Sequence, residues 1–304
     1  MTAEFFKMRL GYPCINRSIE CTANSTFRLA SYSRERFLST VQNNLDCLQE
    51  ILEWNVEKGF LFFRIGSPLI PFASHPICKI DWVNHFKKQF KEIGSYIKKH
   101  KMRISMHPDQ FIILNAKDKK IVKNSIKELE YHCRLLDAMD LDSSAKVMIH
   151  VGGVYGDKEE SIKRFIQNYK KLPAFVKKRF VIENDDRSYT LKDCLMIHKK
   201  TKIPIVFDQF HHECKNNGES VKKAMKLAQS TWRKKDGLLI VHYSDPKKNA
   251  RIGSHSENID LIRFKKFIQE TKNIDFDLML EIKNKEKSAL KAIEILKKLK
   301  YFNC

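Results

Sequence analysis

The sequence predicts an α/β protein, a single (β/α)8 TIM barrel occupying residues 1–304 with its site at the C-terminal strand ends, and two observations carry that expectation. Short apolar runs alternate with amphipathic stretches eight times. This pattern suits a parallel sheet that closes on itself better than an open doubly wound one. Six of the runs, at 102–107, 146–150, 180–183, 203–208, 238–242 and 277–281, end on His107, His150, Glu183, Asp208, His242 and Glu281. In a closed barrel the C-terminal strand ends meet at one mouth, so residues a whole strand–helix unit apart can share a metal cluster.

The elements follow in order. Residues 7–13 read as a first strand stopped by Pro13, and a polar loop through Asn16, Asn24 and Arg28 follows. Ser33 offers a helix N-cap, Phe37, Val41, Leu45, Leu48 and Leu52 form one apolar helical face, and Gly59 ends it. A second strand covers 60–65. Asp81 caps one helix with the stripe Trp82, Phe86, Phe90, Ile93 and Ile97, which leads to the strand ending at His107. Val122, Ile126, Leu129, Cys133 and Leu136 mark the next helix, before the His150 strand that Gly152-Gly153 breaks. Helices at 158–171, 191–198, 220–229, 260–271 and 285–300 separate or follow the remaining strands.

Composition narrows the function. Lys plus Arg number 57 against 36 Asp plus Glu, a formal charge of +21, which favours a polyanionic partner through phosphate contacts. No run approaches the roughly 20 apolar residues of a membrane-spanning helix, and the N-terminus does not read as a signal peptide. The eight cysteines form no CxxC pair and read as reduced core residues of a cytoplasmic protein, nucleoid-associated if the source is a prokaryote.

A buried strand has no reason to end on a carboxylate unless that group is paired or binds a metal. His211, three residues after Asp208, and His255, in the loop after His242, add a second tier. Mixed imidazole and carboxylate donors suit Zn²⁺ or Mn²⁺ and do not choose between them. Several such groups on a basic protein suit hydrolysis of a phosphodiester by two or three ions, with Glu183 bridging.

These residues resemble the UV damage endonucleases, within the endonuclease IV-like and xylose isomerase-like barrels. The resemblance covers nearly the whole chain. It rests on Arg9-Leu10-Gly11-Tyr12-Pro13-Cys14, Phe63-Arg64-Ile65-Gly66, Leu69-Ile70-Pro71-Phe72-Ala73-Ser74-His75-Pro76, Ser105-Met106-His107-Pro108 with Gln110, His150-Val151-Gly152-Gly153, Glu183-Asn184-Asp185 and Asp245-Pro246-Lys247-Lys248. It implies incision of double-stranded DNA immediately 5′ of a UV photoproduct, leaving a 3′-hydroxyl, by a monomer that uses two or three divalent ions, Mn²⁺ ahead of Zn²⁺. By the same resemblance, His107, His150 and Glu183 hold one ion. Glu183, Asp208, His242 and Glu281 hold a second, and His211 and His255 serve a third. Tyr12 is placed near the scissile phosphate, and Gln110-Phe111 matches a lesion-probing pair whose second member in the family is Tyr.

One position departs from the family. A carboxylated lysine is expected two residues before His242, where this chain has Ile240, so the third site keeps only His211 and His255 unless His212, Asp245 or another group substitutes. Lys283 is placed to neutralise phosphate charge or to pair with a ligand carboxylate. Asn16, Arg28, Lys247, Lys248 and Arg251 follow strand ends and are expected to reach DNA. The rival readings are an abasic-site endonuclease, a metal-dependent sugar isomerase and a basic DNA-binding barrel without catalysis.

Overall fold

A computed structural model of the chain describes residues 8–299. Eight parallel strands, β1 (Leu10–Pro13), β2 (Phe62–Ile65), β3 (Arg103–Met106), β4 (Lys146–His150), β5 (Phe180–Glu183), β6 (Ile205–Asp208), β7 (Leu239–Tyr243) and β8 (Phe276–Leu280), pair in chain order, and β8 returns to β1 to close a TIM barrel. Around them run α1 (Arg34–Lys58), α2 (Trp82–His85), α3 (Lys87–Lys99), α4 (Lys119–Ala138), α5 (Lys158–Lys170), α6 (Ala174–Lys177), α7 (Leu191–Thr201), α8 (Gln209–Cys214), α9 (Val221–Gln229), α10 (Leu261–Glu270) and α11 (Glu286–Lys298).

Local chemistry sets the helix ends. Ser33 accepts a hydrogen bond from the Arg36 amide at the start of α1, and Gly59 closes it in the left-handed region at φ 81°. The single helix expected after Asp81 is two: Phe86 leaves helical dihedrals at φ −101°, ψ 20°, while its ring stays buried with Trp82 and Phe90. The expected first strand begins at Leu10, and Lys7 lies outside the described residues.

Side chains alternate across a strand, so residues two apart share a face. The barrel interior is therefore layered. Its middle layer is apolar: Phe62, Met148, Val181, Val206, Ile240 and Met279 form one buried cluster. Two residues further along the same strands stand Arg64, His150, Glu183, Asp208, His242 and, just past β8, Glu281. Two residues earlier stand Lys146 and Asp277, joined from β3 by Arg103. Gly11 pairs with Phe62 on β2 and shares its interior face, and it is glycine because a Cβ there would lie 1.8 Å from the Phe62 carbonyl oxygen.

The lower layer is ionic and closed to solvent. Arg103 meets Asp277 at 2.6 Å, and Lys146 meets Asp236 at 2.7 Å. Burial depresses the Lys146 ammonium to about 8, with Asp236 opposing the fall.

The expectation of eight reduced cysteines is corrected: Cys21 and Cys47 form a disulfide with Cα atoms 5.8 Å apart, which ties the β1–α1 loop to α1. Cys14, Cys78, Cys133, Cys194 and Cys214 are free, and Cys304 lies outside the described residues. Among the described residues no helix is long and apolar enough to cross a membrane.

Candidate metal centre and nucleic-acid interface

The upper layer brings the strand-end donors together. Three groups have ligand atoms within 4.8 Å of one another: His107 with His150 and Glu183; Glu183 with Asp208 and His211; Asp208 with His242 and Glu281. Glu183 and Asp208 each belong to two groups, so the three form one chain of adjoining sites.

Positions within the cluster are fixed from outside it. The His107 Nδ1–H donates to the Pro108 carbonyl at 2.8 Å, leaving Nε2 to face Glu183 Oε2 at 3.4 Å. The Asn184 side chain bonds both backbone groups of Asp208, at 2.9 and 3.0 Å. Asp208 Oδ1 accepts from the His211 amide at 2.7 Å, which starts α8 and turns the His211 ring back toward the strand ends. Arg64 donates to His242 Nε2 at 2.9 Å and meets Glu281 at 2.6 Å. A guanidinium only donates, so His242 carries its proton on Nδ1, and Glu183 Oε1 accepts it at 2.8 Å.

The electrostatics describe carboxylates gathered for cations. Burial works to raise Glu183, but the imidazoles around it, His242 first and then His107 and His150, hold it well below the usual carboxylate range. Glu281 is likewise held low against burial, chiefly by Arg64. Burial pushes Asp208 up to about 6, with His211 opposing and Glu183 and Glu281 adding to the rise. Burial drives His150 down to about 4, so it is a neutral imidazole at ordinary pH. Glu183 Oε2, Asp208 Oδ2 and His150 Nδ1 are buried without a hydrogen-bond partner. Orphaned anionic oxygens beside a neutral imidazole fit a divalent ion of the Mn²⁺ or Zn²⁺ type, because an unpaired buried carboxylate is otherwise unfavourable.

His255 stands apart from the three groups. Its ring donates to the Glu281 carbonyl at 2.8 Å and lies 6.2 Å from the His211 ring. Ile240 is buried in the apolar layer below. Neither suggested substitute joins in: His212 bonds the Glu219 carbonyl, and Asp245 holds Tyr243, Arg263 and the Asp260 amide.

Two residues expected to touch substrate, Tyr12 and Asn16, lie elsewhere. Tyr12 points outward from β1, fully buried beneath the β1–α1 loop. Its hydroxyl donates to Asn55 at 2.5 Å and accepts from Asn16 at 2.9 Å, and its ring packs edge-on against Trp54, Phe60 and Phe63. The alternation rule explains this: Tyr12 shares the outer face with Leu10, whereas Gly11 and Pro13 face the barrel interior. Asn16 is buried with Tyr12 and not free for DNA. Lys283 is exposed on the β8–α11 loop, with its amide bonded to the Ser256 carbonyl. Lys285, half-buried on the same loop, has Cys14, Glu281 and Arg64 as charged or polarisable neighbours.

The rim fits a nucleic-acid backbone. Gln110 is exposed and Phe111 is 65% exposed on the loop after β3. Arg28, Lys247, Lys248 and Arg251 are exposed on the loops after β1 and β7. Ile252, 74% exposed, follows Arg251 in that second loop.

A closed parallel barrel with a histidine and carboxylate cluster at its mouth defines a TIM barrel of strongly basic charge with a candidate metal site. The chain belongs to the UV-endonuclease UvdE family, whose model matches residues 8–303. It is 42% identical over 294 residues to the UV DNA damage endonuclease of Clostridium perfringens, covering 96% of this chain and 71% of that one. It is 34% identical over 303 residues to that of Bacillus thuringiensis, covering 96% of each. The crystal structure of SacUVDE matches with a TM-score of 0.93 at 44% identity, over 97% of this chain and 100% of that one. Endonuclease IV from Thermus thermophilus matches with a TM-score of 0.57 at 13% identity, over 82% of this chain and 94% of that one, and shares the fold. As a member of this endonuclease family the protein is an enzyme acting on DNA.

Proposed function

We propose that the protein incises UV-damaged duplex DNA immediately 5′ of the photoproduct by metal-dependent hydrolysis, leaving a 3′-hydroxyl, and works as a single-domain monomer. The observation that carries this reading is the chain of three donor groups sharing Glu183 and Asp208, with Glu183 Oε2 and Asp208 Oδ2 buried and unpartnered. His107, His150 and Glu183 would hold one ion, and Glu183, Asp208, His242 and Glu281 a second. Bound there, divalent ions supply Lewis-acid stabilisation of the phosphoryl transfer and a nucleophile at neutral pH. The chain's own part is orientation. Pro108, Asn184 and Arg64 fix His107, Asp208 and the His242–Glu281 pair, so little reorganisation is needed when charge develops.

Lesion choice is assigned to Gln110 and Phe111. Both stand exposed beyond His107, where a wedge can enter a stack already weakened by a photoproduct. Phe111 offers a stacking face without the hydroxyl of the family's tyrosine. Gln110→Ala with Phe111→Ala should lower the preference for damaged over undamaged duplex, each lost stacking contact being worth about 1–3 kcal/mol. Metal content should not change. Parent-level discrimination by the double variant would remove the probe assignment.

The ion served by His211 and His255 should be the weakest bound, since Ile240 supplies no anion and the carboxylates beside His211, Glu183 and Asp208, are shared with the other two donor groups. Anomalous diffraction at graded Mn²⁺ tests this. Three ions of equal occupancy at low metal, with nothing added beside His211 and His255, would contradict it.

Incubating the metal-loaded protein with UV-irradiated, abasic and undamaged duplexes, and separately with ketose and aldose sugars, separates the readings. Nicking of the irradiated duplex ahead of the abasic one, without sugar turnover, is the expected result. Preference for the abasic duplex, sugar turnover or binding without nicking would each overturn the proposal in favour of a rival.

A further inference from the structure

Lys285 adopts a backbone conformation that glycine takes readily and lysine rarely does, with φ 56° and ψ −122°. A side chain held there persists only where its surroundings over-determine it, and such positions gather at functional sites. The surroundings are visible. The amides of Lys283 and Asn284 bond the Ser256 and Glu257 carbonyls, and the Lys285 amide bonds the Ile282 carbonyl. On the other side the Ser18 hydroxyl donates to Glu286 at 2.9 Å. The β8–α11 loop is thus clamped between the β1–α1 and β7–α10 loops, at the mouth of the barrel.

The ammonium it carries is half-buried and has no anion of its own. Glu281 is taken by Arg64 at 2.6 Å, Glu257 by Arg17 at 3.9 Å, and Glu286 by Ser18. Among the described residues Lys285 forms no ion pair. A glycine would satisfy this turn better, so what lysine adds here is its charge. Glu281, a member of the donor cluster four residues back along the chain, is among the charged neighbours of that ammonium.

We propose that Lys285 is a phosphate-binding residue, whose ammonium contacts a backbone phosphate of the incised strand beside Glu281. This rests on the reading that the substrate is UV-damaged duplex. A lysine on a phosphate acts as a point charge, releasing a counterion when the complex forms.

Two variants separate the charge from the backbone. Lys285→Gly removes the ammonium and relieves the conformation, and Lys285→Met removes the ammonium and keeps the conformation. With metal-loaded protein and a UV-irradiated duplex, the enzyme concentration giving half-maximal single-turnover nicking should rise about tenfold in both. The slope of log affinity against log salt should flatten by about one. Lys285→Gly should also melt about 2–4 °C above the parent. Metal content should equal the parent's. A parent-like salt slope in both variants would overturn the proposal, as would loss of bound metal in place of the slope change, since that would make Lys285 a counter-charge for Glu281. If the parent fails to nick, the functional reading fails, and the salt slope read by anisotropy on the same duplex still decides the role of Lys285.

Discussion

Glu183→Gln is expected to lower the single-turnover incision rate at least roughly 10³-fold, about 4 kcal/mol of barrier. Glutamine keeps the shape of the side chain and its bond to His242, so the loss isolates the charge. Glu183 belongs to two of the three donor groups, and its Oε2 is buried without a hydrogen-bond partner. Removing that one negative charge weakens both ion sites that share it. The imidazoles that hold the carboxylate low, His242 first among them, then face a neutral amide. Rates should be compared with metal content measured on the same samples. Incision near the parent rate would mean that Glu183 does not bridge, and the site would need another centre.

Asp277→Ala should lower the free energy of unfolding by roughly 3–5 kcal/mol, because removing one partner of a buried ion pair leaves the other charge uncompensated. Asp277 is fully buried and accepts from Arg103 at 2.6 Å and from the Arg9 amide at 3.0 Å. Burial works to lower Arg103, and Asp277 is the main group opposing it. Arg103 also donates to the Leu238 carbonyl at 2.5 Å and to the Asp236 carbonyl at 2.8 Å, so it cannot swing out to water without breaking the floor of the barrel. Urea unfolding monitored by circular dichroism measures the change. The variant that remains folded should bind metal as the parent does, since Asp277 lies two layers below Glu281. A shift under about 1 kcal/mol would show that the lower layer is open to solvent.

The barrel was legible because its strands carry the signal twice, as apolar runs and as donor residues at their ends. Period two then does the rest. A donor two residues past Met148, Val181, Val206, Ile240 or Met279 faces the mouth with no further information. The same rule would have found Arg64, two residues past Phe62, but its strand ends on Ile65-Gly66 and shows no donor at the last position. The rule also places Tyr12 outside, since it shares a face with Leu10; reading the motif around it without its parity put the phenol at the mouth. Lys285 was hidden for a different reason. Backbone dihedrals in a loop do not show in composition, so nothing in the sequence sets Lys285 apart from Lys283. The six-residue α8 is too short to display a helical period, and the Cys21–Cys47 bond depends on a loop folding back over α1.

The most direct test of metal-dependent incision at this mouth is to map the nick on a duplex carrying one photoproduct at a known position, with metal-loaded and chelator-treated protein. One metal-dependent break immediately 5′ of the lesion, with a 3′-hydroxyl that a polymerase extends, is the result the donor cluster predicts. An equal break without metal, or a break at a position unrelated to the lesion, would contradict it.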